Sequence, residues 1–314
     1  MTHVEDPVVI SYRGYDVYKC DTWTQGPYLS QTLRMLEEFD LKQMGFLSTD
    51  YIHVVVEAMK LALADRDQFY GDPLFVDVPL EILLADDYTQ LRRTLIDMKK
   101  ASKELRPGDP KNMRALMEGG GRTFPNAGGT TTCVASDRYG NVVVTTPSGL
   151  GSSAGSGGRT GVTHGSRLII NNSWAGHPNC IGPGKRPRTS LTPTLVMKDG
   201  KPFLAISVAG GDMQDQAALQ IILDVIDFGM DIDEAMSAPR FSTGHFIGSF
   251  GQDPPRLGDL RLHRSIDQKV QKQLAEKGHK VRETPNNIGG IAMLYIKPET
   301  GMVYGAGAAA SGME

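Results

Sequence analysis

Strands in this sequence come as hairpins and helices come in groups, a segregation that leaves few folds open. Residues 8–12 and 17–20 read as a β-hairpin about Arg13-Gly14-Tyr15-Asp16. Two helical stretches follow. Residues 28–39 repeat apolar side chains at Leu29, Leu33, Leu36 and Phe39. Residues 49–70 open on a Ser48/Thr49 cap and carry Ile52, Val55, Val56, Met59, Leu61 and Leu63. A third, amphipathic helical stretch is predicted over 79–102. The second half is richer in strands. Residues 130–136 and 141–146 form a hairpin around Tyr139-Gly140-Asn141, and 167–171 a strand. Residues 194–197 pair with 202–208 across Lys198-Asp199-Gly200-Lys201, and 291–296 and 303–304 close the chain as strands. Helices are predicted at 217–228 and 265–277. This grouping predicts antiparallel sheets covered by helices, an α+β layered sandwich.

Between the halves, residues 103–129 lack periodicity and are rich in Gly, Pro and charge, which predicts a linker or exposed loop of the kind that is readily cut. It runs through Gly119-Gly120-Gly121 and Asn126-Ala127-Gly128-Gly129 into Thr130-Thr131-Thr132, just before Cys133-Val134-Ala135-Ser136. The threonines can be a β-branched strand start. They can also be the product of chain cleavage: cutting Gly129–Thr130 gives Thr130 a free α-amine beside its own hydroxyl, a base and a nucleophile on one residue. Val208-Ala209-Gly210-Gly211-Asp212 has two readings as well, a tight turn or a pair of outward backbone N–H donors forming an oxyanion hole.

Of the 314 residues 22% are charged, and the net charge of −3 gives no case for nucleic acid or an anionic membrane as partner. Three scattered cysteines, Cys20, Cys133 and Cys180, make neither a disulfide framework nor a zinc site. Cys133 alternates with core positions and is expected to be buried. The seven histidines show no HExxH or other ligand-spaced pair, so no metal is expected. No apolar run approaches about 18 residues and no signal peptide is visible, which leaves the compartment open. The GxGxxA match at Gly149–Ala154 lacks the following helix and acidic residue of a dinucleotide site. Gly182-Pro183-Gly184-Lys185 lacks P-loop spacing. No cofactor is expected. Lys185-Arg186-Pro187-Arg188 is either a solvated turn or a local holder of an acidic group.

Taken in order, these segments resemble the γ-glutamyltransferase (glutathione hydrolase/transpeptidase) family of N-terminal nucleophile hydrolases. The resemblance runs nearly the full length. It rests on Tyr12-Arg13-Gly14-Tyr15-Asp16-Val17-Tyr18, Ala64-Asp65-Arg66, Gly71-Asp72-Pro73, Thr130-Thr131 with Asp137–Asn141, and Ile169-Ile170-Asn171-Asn172. It continues in Pro183-Gly184-Lys185-Arg186-Pro187 with Thr192-Pro193-Thr194, Gly210-Gly211, Asp227-Phe228-Gly229 and Ala238-Pro239-Arg240-Phe241. The resemblance implies a four-layer αββα sandwich and a proenzyme that cuts itself before Thr130. Residues 1–129 would then be the later part of the large subunit and 130–314 the small, catalytic one, associated as a heterodimer of cleaved pieces. It further implies Thr130 as nucleophile, Ser148 as its hydroxyl partner, Gly210 and Gly211 as oxyanion donors, and Thr189, Ser190 and Asn172 in the substrate pocket.

The chain departs from the family in three places. Glutamate-binding members carry a Gln after the paired asparagines and an Asp slightly later that grips the substrate α-amine, where this chain has Ser173 and Gly176. The Asn expected just past Ser148 is replaced by Gly149-Leu150. Family proenzymes also begin well upstream of Tyr12-Arg13-Gly14, so the sandwich is expected to be incomplete at its N-terminus, with an upstream segment or second polypeptide supplying the rest. The resemblance implies a γ-glutamyltransferase-like amide hydrolase/acyltransferase. The alternatives are an acylase of the same fold acting on non-glutamyl amides and a truncated, non-catalytic subunit.

Overall fold

The computed structural model describes residues 4–112, 114–115, 130–148, 175–180, 182–249 and 254–307. The expected strand at 167–171, Asn172, Ser173 and the Gly129 side of the cleavage point lie outside them.

Strands β1 (Val8–Tyr12) and β2 (Tyr15–Lys19) form the expected hairpin. Its two turn residues, Arg13 and Gly14, both have positive φ (49° and 79°), the turn geometry whose twist suits a hairpin. Arginine is unusual in that position. Here Arg13 is held by Asp227 Oδ1 and the Phe39 carbonyl, each at 2.7 Å. Strands β7 (Thr194–Lys198) and β8 (Lys201–Ala209) turn the same way at Asp199-Gly200. With β12 (Gly290–Ile296) and β13 (Val303–Gly307) they build a sheet ordered β1-β2-β7-β8-β12-β13, antiparallel throughout.

Strand β8 is buried from Phe203 to Val208, so both faces of the sheet are covered there. One face carries Leu204, Ile206 and Val208 into a core shared with α1 (Pro27–Leu36) and the helix following β8, Gln214–Ile226. Behind α1 lies α3 (Thr49–Phe69), buried almost all round although it carries Glu57, Lys60, Asp65, Arg66 and Asp67, whose charges are paired inside the protein. Ser48 caps it, accepting from the Tyr51 N–H, as expected. A short α2 (Leu41–Met44) precedes it. The other face of β8 receives the hairpin of β5 (Cys133–Ser136) and β6 (Val142–Thr145). Ser207 Oγ donates to the Thr145 carbonyl at 2.8 Å, and its oxygen lies 2.9 Å from Thr146 Oγ1. The arrangement is α+β.

Four expectations need correction. The stretch 79–102 is two short helices, α4 (Leu80–Leu83) and α5 (Asp86–Arg93), rather than one. Ala85, extended at ψ 153°, separates them, and beyond α5 the Asp97 side chain accepts from the Lys99 N–H at 2.8 Å, a local turn that competes with helix. Residues 103–109 are docked rather than loose: buried Asp65 takes the Gly108 N–H at 2.7 Å, and Arg106 reaches the Leu95 carbonyl and Glu57. Gly108 is needed there, because a Cβ would overlap the Tyr88 hydroxyl. It opens a two-residue strand, β3 (Gly108–Asp109), paired with β4 (Arg114–Ala115). Cys133 is exposed, because the outer face of the β5–β6 hairpin has no cover among the described residues. Finally, not every pairing is antiparallel. After helices α6 (Gln214–Ile226) and α7 (Ile232–Ser237), β10 (Asp259–His263), α8 (Gln268–Glu276) and β11 (Lys280–Thr284) form a parallel crossover flanked by β9 (Phe241–Ser242). Among the described residues no helix is long and apolar enough to cross a membrane.

Candidate active site

The register of the β5–β6 hairpin decides which residues meet at its base. Asp137 opens the connecting turn and accepts the N–H groups of Tyr139 and Asn141 and the Asn141 side-chain amide, at 2.8–3.0 Å. These bonds, the Asn141 amide foremost, hold its carboxyl below the usual range. The turn sets Cys133 opposite Thr145 and Ser136 opposite Val142. Carried to the open end, that register brings Thr130 opposite Ser148 as an isolated antiparallel bridge. The Thr131 N–H reaches the Pro147 carbonyl at 2.9 Å, and Thr130 Oγ1 donates to Ser148 Oγ at 3.3 Å. A slip of one residue would turn these side chains to opposite faces. Of the three threonines, Thr130 alone has a described hydroxyl partner of this kind, and it is half-buried.

Gly210 and Gly211 leave the end of β8 with φ of 144° and 58°, conformations that an L side chain resists. Their carbonyls turn into the helix start: Gly210 O accepts from the Met213 N–H at 3.1 Å and Gly211 O from the Gln214 N–H. In a trans peptide the N–H opposes its carbonyl, so the Gly211 N–H points away from the helix. As the first donors of the helical run these groups have no carbonyl within it, which makes the turn fit to receive negative charge.

Thr189 and Ser190 are buried. Thr189 bridges Thr24, exchanging backbone bonds with Trp23 and Gln25 at 2.9 Å. Thr189 also lines a cavity of about 500 Å³ with Trp23, Thr145, Thr146, Arg186 and Leu191. The segment is anchored from below by Lys19, whose ammonium reaches Asp215 Oδ1, Thr194 Oγ1 and the Thr192 carbonyl at 2.7–2.9 Å. Gln25 Nε2 approaches the carbonyls of both Ser190 and Gly211, at 3.5 and 3.4 Å, so these two expected elements do meet. The Thr130–Ser148 pair joins them less directly, through the Thr145/Thr146 bonding to Ser207, three residues before Gly210. Among the described residues no hydrogen bond links Thr130 to Gly210 or Gly211.

The basic cluster holds acidic groups. Arg186 pairs with Asp72 and Glu5 and lies over the Trp23 ring. Arg188, 4% exposed, pairs with Asp67. Burial, and then the nearby charge of Arg66, pull the Arg188 pKa down to about 10. Burial opposes the charge of Arg66 too, but Asp67 and Asp212 more than offset it and raise its pKa. The sequence reading missed this buried network. Its signal was the run of charge at Asp65, Arg66 and Asp67 within a long helical stretch that carries apolar residues before it. The histidines also converge further than their spacing indicated. His53 and Glu57 share one face of α3, and with His279 they offer ligand atoms within 4.8 Å of one another. Those atoms are already engaged: His53 with His279 and the Asp97 carbonyl, Glu57 with Lys60 and Arg106.

Comparison with known proteins places the chain among relatives. The family profile Gamma-glutamyltranspeptidase matches residues 1–311. The chain is 33% identical over 310 residues to the Acylase ACY 1 proenzyme of Pseudomonas sp. (strain V22), covering 96% of this chain and 50% of that one. It is 32% identical over 321 residues to the glutathione hydrolase proenzyme of Escherichia coli (strain K12), with 96% and 50% covered. The solved structure of LmbA2991HD superposes with a TM-score of 0.86 at 35% identity, over 96% of this chain and 54% of that one. The chain thus spans about half the length of the curated relatives it matches.

Proposed function

Because this chain belongs to the gamma-glutamyltranspeptidase family, we propose that it is the nucleophile-bearing part of a γ-glutamyltransferase-like amide hydrolase/acyltransferase, activated by self-cleavage at Gly129–Thr130. In this reading residues 1–129 are the later part of the large subunit and residues 130–314 the small one. The sheet and the β5–β6 hairpin are the two inner layers of an αββα sandwich. An upstream segment or a second polypeptide covers the outer face of that hairpin, where Val143 is 60% exposed beside Cys133.

The single observation that carries the reading is the in-register contact of Thr130 Oγ1 with Ser148 Oγ. Once freed, the Thr130 α-amine, with a reference pKa of about 8, takes the Oγ1 proton directly or through a water as Oγ1 attacks the acyl carbonyl. Ser148 aligns the nucleophile. The carbonyl oxygen takes up the electron pair and is received by the Gly210–Gly211 turn. Collapse breaks the C–N bond, the α-ammonium returns its proton to the departing amine, and an ester on Oγ1 remains. Water or an acceptor amine, deprotonated by the α-amine, then releases the acyl group. Thr189, Ser190 and Asn172 are assigned to the acyl group's binding site.

A second reading, an acylase of non-glutamyl amides, is favoured by Gly176. It stands where glutamate-binding members carry their ammonium-gripping Asp, and it has no side chain to hold a charge. An unpaired buried ammonium costs several kcal/mol, roughly 3–5. The relative named Acylase ACY 1 proenzyme agrees with that reading.

Rates with γ-glutamyl anilides and with glutaryl or other acyl amides separate the two. A preference of roughly tenfold or more for non-glutamyl acyl groups selects the acylase, and the reverse preference selects the glutamyl enzyme. A correctly cleaved protein that forms no acyl-enzyme with any of them would be the non-catalytic subunit.

A further inference from the structure

We propose that Arg66 is a positioning residue for this site: through Gln25 and Asp212 it sets the Gly210–Gly211 turn and the Thr189–Ser190 segment in fixed relation to each other. The proposal rests on reading those two segments as the anion-receiving and substrate-binding elements.

Arg66 projects from α3 and is wholly buried. Its Nη1 donates to Gln25 Oε1 and to Asp212 Oδ1, both at 2.9 Å. Nε and Nη2 grip Asp67 Oδ1 at 3.0 and 2.8 Å, and Nη2 also reaches the Ile247 carbonyl at 3.0 Å. The guanidinium lies against the Phe246 ring. A planar fork engaged on this many sides cannot rotate to follow its partners, so the partners must follow it.

Asp212 ties Arg66 to one half of the site, and Gln25 reaches both. Asp212 directly follows Gly211 and is held further by the Ser249 N–H and hydroxyl. Gln25 has its amide orientation fixed by Arg66, because donation to Oε1 commits Nε2 to the opposite side. That side holds the Ser190 and Gly211 carbonyls, 3.5 and 3.4 Å away. Arg188, which precedes Thr189, returns to the same turn of α3, donating to the Arg66 carbonyl at 3.1 Å and to Asp67 Oδ1 at 3.3 Å. Both halves therefore end on one rigid helix through charged residues adjacent to them in sequence. Stability alone does not call for this, since well-packed apolar side chains would serve as well as a buried set of two arginines and two aspartates. What the charges add is direction, through bonds that hold only in one geometry.

Hydrogen–deuterium exchange of the chain, wild type against Gln25→Ala and Asp212→Asn, tests the coupling. Exchange over 188–192 and over 209–213 should rise together by about tenfold, the effect of losing one well-placed hydrogen bond, with β1, β2 and α8 unchanged. A rise in one segment only, or no rise, would overturn the coupling. So would an equal rise everywhere, which marks general loss of stability. Labelling of Thr130 by an electrophilic glutamine analogue should also slow by about tenfold in Gln25→Ala at an unchanged melting temperature. Wild-type labelling rates in that variant overturn the positioning role. If wild-type protein is acylated neither by that analogue nor by any of the glutaryl or other acyl amides, the reading of Thr130 fails and takes the positioning role with it, while the exchange result still decides the coupling.

Discussion

Thr130 and Ser148 meet because a turn seven residues beyond Thr130 fixes a register, and the consequences are testable one side chain at a time. Ser148→Ala removes the one described acceptor of the Thr130 hydroxyl. A hydrogen bond worth about 1–2 kcal/mol corresponds to a factor of about 5–30 in rate. Self-cleavage, followed by the appearance of the smaller fragment on a gel, should slow by that factor in Ser148→Ala and recover in Ser148→Thr. Equal slowing in both variants would point to packing rather than to the hydroxyl. Gly210→Ala places a Cβ at φ 144°, which costs about 1–3 kcal/mol of backbone strain. It should therefore lower the urea midpoint as well as the acylation rate.

At the level of elements, the turn at Asp137 matters more than its exposed position implies. Asp137→Ala should loosen the hairpin register and slow cleavage, while Asp137→Asn, which retains an acceptor, should slow it less. Anchoring by β2 is a matter of charge. Lys19→Met leaves Asp215 buried and unpaired and should destabilise by about 3–5 kcal/mol in denaturant melts. Adding Asp215→Leu should recover most of that loss.

Both two-residue hairpins, the capped α3 and the glycine pair after β8 were legible in the sequence, because each follows from local propensity and local turn chemistry. The break within 79–102 was not, because it comes where Ala85 turns extended (ψ 153°) inside a pattern that looks sound by periodicity. The helix of the parallel β10–α8–β11 unit was legible, but its strands were not, both being rich in charge and β11 largely exposed. In the site, the residues with chemistry of their own stood out. The contacts of Gln25, Asp212 and Arg188 with Arg66 and its helix were not legible, since they exist only where distant segments meet.

For the whole molecule, buried histidines tie stability to pH. Burial depresses His177 to about 4, His245 to about 3 and His279 to about 2. Each stays neutral when folded, while the unfolded chain takes up a proton as pH falls through its ordinary value of about 6.5. The unfolded state then binds more protons, so the stability these groups permit is complete above about 6.5 and is lost as pH falls toward the folded values. Asp224, raised to about 7 by burial, acts in the opposite direction. Its contribution is complete below its unfolded value and is lost as pH rises through about 7. The contribution of one histidine can be isolated. His177→Gln, which can keep a donor toward the Asp67 carbonyl, should flatten the stability curve by one proton. That amounts to about 1.4 kcal/mol per pH unit between roughly pH 4.5 and 6. Parallel curves for wild type and variant would contradict the assignment.

The central claim is that this chain becomes a nucleophile by cutting itself, and the mass and N-terminal sequence of the purified protein test it most directly, with an upstream half supplied where the chain alone stays whole. The account predicts two pieces, the smaller beginning Thr130-Thr131-Thr132-Cys133, and a single uncut chain for Thr130→Ala. A wild-type chain that remains intact after prolonged incubation with its partner, or one cut before a residue other than Thr130, would contradict it.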